Sequence, residues 1–337
     1  MIRRLAIAAL LVAVAAAAVV WWGYQRVSSP FQGFAGTETI VDLPAGTNVR
    51  AMGERLAAAG VVRDPLTFRI AARLSGQERR LQAGEYRFAG PSSPFAVVDR
   101  LARGDVFVRP ITFREGLTIR EMATHVEATG FGSAEAFMES ARRVELIRDI
   151  DPDAEDLEGY LFPSTYPLAR NTSTDRLVEA MVGTFRSMFT AELRAEAEQA
   201  GLSVRDVVTL ASVVERETGH PDERPLVAAV FRNRLRLGMP LQTDPTVIYA
   251  MMLDGRWAGN IRRSDLEMDH PYNTYRNPGL PPGPIAAPGR AAIEAVLRPA
   301  DVSYLYFVSR NDGTHVFATT LAEHNRNVRE WQLRRRQ

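Results

Sequence analysis

The stretch ASVVERETG at residues 211–219 organises the interpretation of the whole sequence. It closes an apolar run that begins just after Ser203, and an acidic residue three positions later, Asp206, is typical of a capping box at a helix start. At the other end, Gly219 predicts a left-handed residue that terminates the helix. The stretch therefore predicts a largely buried helix whose last turn carries two glutamates.

Polar residues recur along this predicted helix at helical spacing and predict one narrow solvent-exposed stripe: Arg205, Thr209, Ser212 and Arg216. At about 100° per residue, Glu215 and Glu217 lie on opposite flanks of that stripe. Partial burial disfavours the charged form of a carboxylate, which raises its pKa and suits it to general acid chemistry. The alternative is an ion-paired glutamate with a structural role, and periodicity does not choose between the two glutamates.

Composition indicates an ordinary globular protein of two or three domains. The chain has 337 residues, of which 46% are hydrophobic and 24% charged. Its net charge of +1 gives no field that would attract nucleic acid, so we expect no nucleic-acid partner, and the terminal arginines 334–336 are interpreted as a solvated tail. The absence of cysteine excludes disulfides and thiolate chemistry. The five histidines show no metal-ligand spacing, so we expect neither a metal nor a cofactor.

The N-terminus predicts a membrane anchor. Arg3 and Arg4 precede an apolar run from Leu5 to Trp22 that ends in a tryptophan pair. Eighteen residues at about 1.5 Å each span about 27 Å, which is enough to cross a hydrocarbon core. The arginines favour a cytoplasmic N-terminus with the rest of the chain outside, and a cleaved signal peptide with the small residues 15–18 is the alternative.

An internal repeat follows a Ser-, Pro- and Gly-containing linker over 28–38. Residues 39–60 and 111–130 each predict a short strand, a glycine turn, a threonine-capped helix and a glycine stop. Between them, residues 81–88 predict a strand and residues 94–103 a helix. The sequence therefore predicts an anchor over 1–27 and a small α+β domain over 39–131. A LysM cell-wall-binding module is its nearest analogy, and a spacer that binds nothing is the alternative.

From residue 132 to 337 the pattern becomes mostly helical, with a small β-hairpin near its end and a last helix from Leu321, so the fold class is α+β. Helical periodicity covers 134–148 and 174–200 and flanks the aromatic segment LEGYLFPSTY at 157–166, which is either a packed connector or a wall of a sugar-binding groove. Further on come PLQTDPTVIY at 240–249, HPYNTY at 270–275 and GLPPGP at 279–284. Their uncharged polar side chains suit a ligand rich in hydroxyls and acetamides.

Other chemistries find little support in the sequence. It contains no nucleophile elbow of the type Gly-x-Ser-x-Gly and no phosphate-binding Walker loop. The carboxylates of the central helix therefore remain the strongest candidates for catalysis.

These motifs together resemble the endolytic murein transglycosylase (MltG/YceG-like) family, and the resemblance covers nearly the whole chain. It implies a lytic enzyme that cleaves peptidoglycan strands between N-acetylmuramic acid and N-acetylglucosamine. The broader lytic transglycosylase pattern has a helix-borne Glu followed by Ser. Glu217-Thr218 resembles this pattern and Glu215-Arg216 does not, so the resemblance assigns the catalytic role to Glu217. The chain departs from the pattern in ending the helix at once in Gly219-His220-Pro221.

The resemblance also implies the mechanism. Hydrolytic glycosidases usually need two carboxylates, whereas a lytic enzyme works with one. Glu217 protonates the glycosidic oxygen and then, as a carboxylate, takes the proton of the muramic acid C6 hydroxyl. That hydroxyl attacks the anomeric carbon and closes a 1,6-anhydro ring. The residues expected to bind the sugars are Tyr160, Gln242, Thr243, Asp244, Tyr249, Asn273 and Tyr275.

The expected setting is the inner membrane, with one span, a cytoplasmic N-terminus and a periplasmic catalytic domain. The expected partners are nascent peptidoglycan strands and peptidoglycan synthases. Cleavage is expected to terminate the elongation of the strands. Two alternatives stay open. One is a non-catalytic peptidoglycan-binding scaffold for cell-wall synthases. The other is a hydrolytic muramidase in which Asp244 or Glu158 provides the second carboxylate.

Overall fold

The computed structural model describes residues 2–170 and 172–333, with side chains from residue 7 onward. The side chains of Arg3 and Arg4 and the arginines 334–336 lie outside the described residues. The chain forms two compact units. The first comprises Met1–Arg109 with Pro167–Asn171, and the second comprises Pro110–Tyr166 with Thr172–Gln337.

The first helix, α1, runs from Ile2 to Ser28. Its segment Ile7–Ser28 has a mean hydropathy of 2.1 and is long and apolar enough to cross a membrane. Its apolar side chains are exposed, including Trp21 and Trp22, until Val27 enters the core of the first unit. One N-terminal apolar helix of this kind fits a single-pass anchor.

The rest of the first unit packs helices against a two-stranded antiparallel sheet. Strand β1 (Thr39–Leu43) pairs with β2 (Gly84–Phe88), and α2 (Val49–Ala58), α3 (Pro65–Leu74) and α4 (Pro94–Arg103) contribute to the same core. The predicted helix over 94–103 is confirmed, since Ser93 caps its start and the left-handed Gly104 ends it. In the first repeat copy the helix is capped by Asn48, so the predicted threonine cap is wrong there.

The second repeat copy belongs to the second unit. Strands β3 (Val108–Thr112) and β4 (Thr165–Ala169) are hydrogen-bonded to each other, and each passes from one unit into the other. Helix α5 (Ile119–Thr129), capped by Thr118, lies wholly in the second unit. The compact units therefore divide at residue 109, whereas the sequence places a domain limit at 131. The predicted domain limits and the LysM analogy stay predictions.

The second unit is mostly helical, as predicted. After α5 its helices are α6 (Ala134–Ser140), α7 (Thr174–Met188), α8 (Ala191–Gln199), α9 (Val204–Glu217), α10 (Arg224–Arg236), α11 (Asp244–Leu253), α12 (Arg290–Leu297) and α13 (Leu321–Val328). The predicted hairpin is confirmed as β5 (Tyr306–Ser309) paired antiparallel with β6 (His315–Ala318), and the predicted last helix from Leu321 follows it as α13. The helical periodicity over 174–200 corresponds to two helices, α7 and α8, because Thr190 caps the start of the second one. The helical pattern over 134–148 also breaks after Ser140.

Candidate active site

The central helix of the second unit is α9, and it packs against α8, α10, α11 and α12. The predicted capping box is present, with Ser203 and Asp206 each bonding the other's backbone N–H. The predicted glycine cap is wrong. The helix ends at Thr218 in an extended conformation, with φ −135°, and Thr218 Oγ1 accepts a hydrogen bond from the backbone N–H of His220. Glu217 is therefore the last helical residue.

The polar stripe of α9 is covered by other segments, so the prediction that it faces solvent is wrong. Thr209 and Ser212 are fully buried. Ser212 Oγ accepts a 2.9 Å hydrogen bond from the backbone N–H of Ile285 and donates a 2.7 Å bond to the Thr209 carbonyl. Arg205 forms a 2.7 Å ion pair with the buried Asp151. The stripe thus fixes distant loops onto the helix.

The two glutamates at the end of α9 have different surroundings. The side chain of Glu215 is 5% exposed and forms a 2.8 Å ion pair with Arg224, while its other oxygen accepts a 3.0 Å bond from the backbone N–H of Gly289. Arg224 also contacts Glu115 at 3.5 Å. Because both oxygens of Glu215 are occupied by protein partners, its surroundings are those of a structural ion pair.

Glu217 lines a cavity of about 430 Å³. Burial raises the pKa of its carboxyl to about 7, the nearby Asp244 adds to the rise, and the hydrogen bond that Thr243 Oγ1 donates to Glu217 Oε1 opposes it. The carboxyl is therefore protonated in a large fraction of molecules near neutral pH. That is the state in which it can act as a general acid.

The loop before α11 presents Thr243 to this carboxyl. Gln242 has a φ of +52°, a left-handed conformation uncommon outside glycine, and its backbone N–H bonds the Thr274 carbonyl. The backbone N–H of Thr243 bonds Thr274 Oγ1 at 3.2 Å. Arg234 braces the same loop, since it donates to the carbonyls of Pro240 and Leu241. These bonds hold the strained loop against the end of α9.

The HPYNTY segment supplies a second wall. The Tyr275 hydroxyl donates a 2.6 Å bond to Asp244 Oδ1, and both residues line the cavity. Asn273 is fully buried, donates to the carbonyls of Leu266 and Met268, and accepts from the backbone N–H of Tyr275. Of the predicted sugar-binding residues, Gln242, Thr243, Asp244 and Tyr275 therefore lie around Glu217, and Asn273 lies behind them.

Tyr160 and Tyr249 line a second cavity of about 320 Å³. The Tyr160 hydroxyl donates a 2.7 Å bond to Asp151, and the Tyr249 hydroxyl bonds Glu158 at 3.2 Å. Burial raises the pKa of Glu158 to about 8, and the nearby Asp156 adds to the rise. The structure does not bring these residues into the cavity of Glu217.

Several cavity residues were absent from the sequence prediction. They come from α10, the hairpin and α13: Arg234, Phe307, Val308, Ser309, His315, His324 and Val328. They follow Glu217 by 17 to 111 positions, and no local pattern connects them with it. The only available signal is that two of the five histidines fall within ten residues of each other in this C-terminal part. Within residues 2–170 and 172–333, no group of three or more His, Cys, Asp or Glu side chains is arranged to hold a metal ion.

The comparisons with known proteins agree on one family. A family model described as the YceG-like family matches residues 41–330. The chain belongs to the YceG-like family. An endolytic murein transglycosylase of Bacillus subtilis (strain 168) is 33% identical over 313 residues, which cover 88% of this chain and 86% of that protein.

Two further comparisons extend this result. An endolytic murein transglycosylase of Streptococcus pneumoniae (strain ATCC BAA-255 / R6) is 30% identical over 348 residues, and the match spans 92% of this chain and 62% of that longer protein. A crystal structure of a yceG-like protein from Listeria monocytogenes superposes with a TM-score of 0.60 at 29% identity. That match covers 86% of this chain and 98% of the Listeria chain. The family resemblance stated from the sequence is confirmed.

Proposed function

We propose that this YceG-like chain is an endolytic murein transglycosylase. It cleaves the bond between N-acetylmuramic acid and N-acetylglucosamine and leaves 1,6-anhydro ends. The observation that carries the proposal is the Glu217 carboxyl, which lines a cavity of about 430 Å³ and whose pKa burial raises to about 7. The names of the Bacillus and Streptococcus relatives support the same reaction.

The reaction needs one proton donor and an internal nucleophile. Glu217 gives its proton to the glycosidic oxygen as the bond from that oxygen to the anomeric carbon breaks. The C6 hydroxyl of the muramic acid attacks the anomeric carbon, and its proton leaves as the 1,6-anhydro ring closes. In the simplest scheme the carboxylate of Glu217 accepts this proton and is ready for the next cycle. Since the nucleophile belongs to the substrate, proximity supplies much of the rate.

The residues around Glu217 have distinct proposed roles. Gln242, Asp244 and Tyr275 line the cavity and bind the hydroxyl and acetamide groups of the sugars. Thr243 holds the Glu217 carboxyl in place, and Asn273 positions Tyr275 from behind. Tyr160 and Tyr249 are proposed contacts for sugar units bound away from Glu217.

The proposed setting is the outer face of the inner membrane. In this setting α1 is the anchor, the N-terminus is cytoplasmic and the second unit works in the periplasm, where cutting a nascent strand ends its elongation. Peptidoglycan synthases are the proposed partners because they produce these strands. The length and apolar surface of α1 support the anchor.

The first prediction tests the acid. Glu217→Gln keeps the shape of the side chain but has no proton to donate at this oxygen, and general acid–base catalysis contributes about 10²- to 10⁴-fold. We expect cleavage of purified glycan strands to fall by at least about 10²-fold while the melting temperature stays at or above that of the wild type. Cleavage is measured as anhydro ends released per minute, and folding by thermal unfolding.

The matched control is Glu215→Gln, which changes the other glutamate of the same helix end. Removing one partner of a buried ion pair costs about 3–5 kcal/mol, so this variant should melt at a lower temperature yet cleave strands once folded. Loss of cleavage in Glu215→Gln with retention in Glu217→Gln would contradict the assignment. Reducing ends in place of anhydro ends would favour a muramidase that uses Asp244, and intact strands with wild-type protein would favour the scaffold alternative.

A further inference from the structure

The cavity of Glu217 contains a histidine that is oriented by a carboxylate and that the simplest scheme leaves unused. Glu223 Oε2 lies 2.7 Å from His315 Nδ1, and Glu223 Oε1 accepts a 2.8 Å hydrogen bond from the backbone N–H of His315. Both side chains are 11% exposed. One carboxylate therefore holds both the ring and the backbone of a residue that lines the cavity.

The arrangement fixes which nitrogen of His315 is available. A carboxylate only accepts hydrogen bonds, so a His315 ring that donates from Nδ1 to Glu223 has Nε2 as its remaining nitrogen, the one that can accept a proton. The ring packs edge-on against Phe307 at a centroid distance of 5.3 Å, which restricts its rotation. Glu223 ends the 3-10 turn Pro221–Glu223 that directly follows α9, and His315 begins β6. The fold therefore joins the hairpin to the end of the helix that carries Glu217.

The other ionisable groups described at this cavity are less suited to accept a proton. Asp244 already accepts the hydroxyl of Tyr275. Arg234 is a cation that donates to backbone carbonyls. The Nδ1 atom of His324 is buried without a hydrogen-bond partner, so no carboxylate orients that ring through Nδ1. Among the described residues lining the cavity, His315 combines an orienting carboxylate with a free acceptor nitrogen.

We propose that His315 is a second catalytic residue and that it takes the proton of the C6 hydroxyl, with Glu223 as its positioning residue. The inference rests on the proposed function and divides the two proton transfers between two groups. Glu217 gives its proton to the leaving oxygen. The C6 oxygen bonds to the anomeric carbon, and its proton moves to His315 Nε2. The carboxylate of Glu223 stabilises the imidazolium, as in other carboxylate–histidine pairs, and this proton returns to Glu217 through solvent after the product leaves.

The test compares two leaving groups. In glycan strands the leaving group is a sugar hydroxyl, which needs protonation. In a synthetic aryl glycoside of muramic acid the leaving group is a stable phenolate, which needs little acid assistance. We expect Glu217→Gln to lose at least about 10²-fold in kcat on strands and to recover most of that loss on the aryl glycoside. His315→Gln should lose about 10²-fold in kcat on both substrates with little change in KM, because a good leaving group does not replace the base.

Further variants separate catalysis from folding. Glu223→Gln still accepts one hydrogen bond but no longer stabilises an imidazolium, so its kcat should fall less than that of His315→Gln and again equally on both substrates. His220→Gln, an exposed histidine on the same turn, is the control and should keep wild-type kcat. Thermal unfolding is measured for each variant.

Three results would overturn the inference: an unchanged kcat in His315→Gln, a defect confined to KM, or recovery of His315→Gln on the aryl glycoside. If His315→Gln does not fold, Glu223→Gln decides on the same criteria. Failure of the proposed function itself appears differently, as a wild-type protein that forms no anhydro ends.

Discussion

At the scale of single residues, the main feature is a carboxyl whose proton affinity is set by opposing neighbours. Burial and the charge of Asp244 raise the pKa of Glu217, and the Thr243 hydroxyl lowers it by donating to the ionised form. The balance leaves the pKa at about 7. A general acid works best when its pKa is near the working pH. By lowering the pKa of Glu217, the Thr243 hydrogen bond brings it closer to neutral pH.

The second prediction follows from this balance. Thr243→Val removes the hydroxyl with little change in volume, so the ionised form of Glu217 loses a stabilising bond and its pKa rises further. Activity requires the protonated acid and therefore falls as pH rises through this pKa. The alkaline limb of kcat/KM, expected near pH 7 in the wild type, should move to higher pH in the variant. A pH profile on glycan strands measures it, and a limb that stays in place or moves to lower pH would contradict the assigned hydrogen bond.

The choice between Glu215 and Glu217 shows what the sequence can predict at this scale. Helical spacing located both carboxylates at the end of α9 and on different flanks. It could not show that Arg224 and Gly289 occupy the oxygens of Glu215. Arg224 lies beyond the end of the helix, and Gly289 lies 74 residues after Glu215. The family resemblance, not the periodicity, chose Glu217.

At the scale of elements, α9 is a helix whose polar side chains bind other parts of the chain. The sequence pattern correctly predicted where α9 starts, because the capping box is a local interaction between Ser203 and Asp206. It wrongly predicted a solvent-exposed polar stripe. Arg205 pairs with Asp151, Ser212 bonds the backbone of Ile285, and Arg216 bonds the backbone of Gly116. Periodicity distinguishes polar from apolar positions, but it does not reveal distant backbone groups that satisfy a buried hydroxyl.

The third prediction concerns this attachment. Ser212→Ala leaves the buried N–H of Ile285 without its acceptor, and a buried unsatisfied donor costs about 1–3 kcal/mol. We expect the free energy of unfolding to fall by that amount in a denaturant titration. The control is Ser187→Ala on α7, where an exposed hydroxyl donates a similar bond to the carbonyl four residues earlier. Loss of this hydroxyl should change the free energy of unfolding by less than about 0.5 kcal/mol. Equal effects for the two variants would contradict the role of Ser212.

At the scale of the whole molecule, the candidate site draws on segments spread along the chain from Glu217 to Val328. Glu217 comes from α9, Thr243 from the loop before α11, Tyr275 from the HPYNTY segment and His315 from β6. The motifs identified the first three because each has a distinctive local composition. The histidine joined them only through folding, because a short hairpin carries no signal of which cavity it will line. The sequence therefore predicted the residues around Glu217 better than those that the hairpin adds to the cavity.

The proposed anchor, α1, is the other feature at this scale, and the orientation proposed for it depends on charge. Positive residues favour the cytoplasmic side of a span, and Arg3 and Arg4 precede the apolar segment. The one arginine near its other end, Arg26, forms a 3.2 Å ion pair with Asp64 and lies 5.1 Å from the Trp22 ring. This pairing partly offsets its charge, which supports the proposed cytoplasmic N-terminus.

The last prediction tests this orientation in cells. A reporter that is active only in the periplasm, fused after Gln337, should be active in the membrane fraction, and the mature protein should retain Met1 by mass. Replacing Arg3 and Arg4 by glutamate removes the charge bias and should lower reporter activity several-fold at equal protein level. The control is the replacement of Arg79 and Arg80, which follow the end of the apolar segment Ile7–Ser28 by 51 and 52 residues and should leave the orientation unchanged. A soluble product lacking residues 1–22 would instead identify the segment as a signal peptide. An inactive reporter on an intact membrane protein would indicate the opposite orientation.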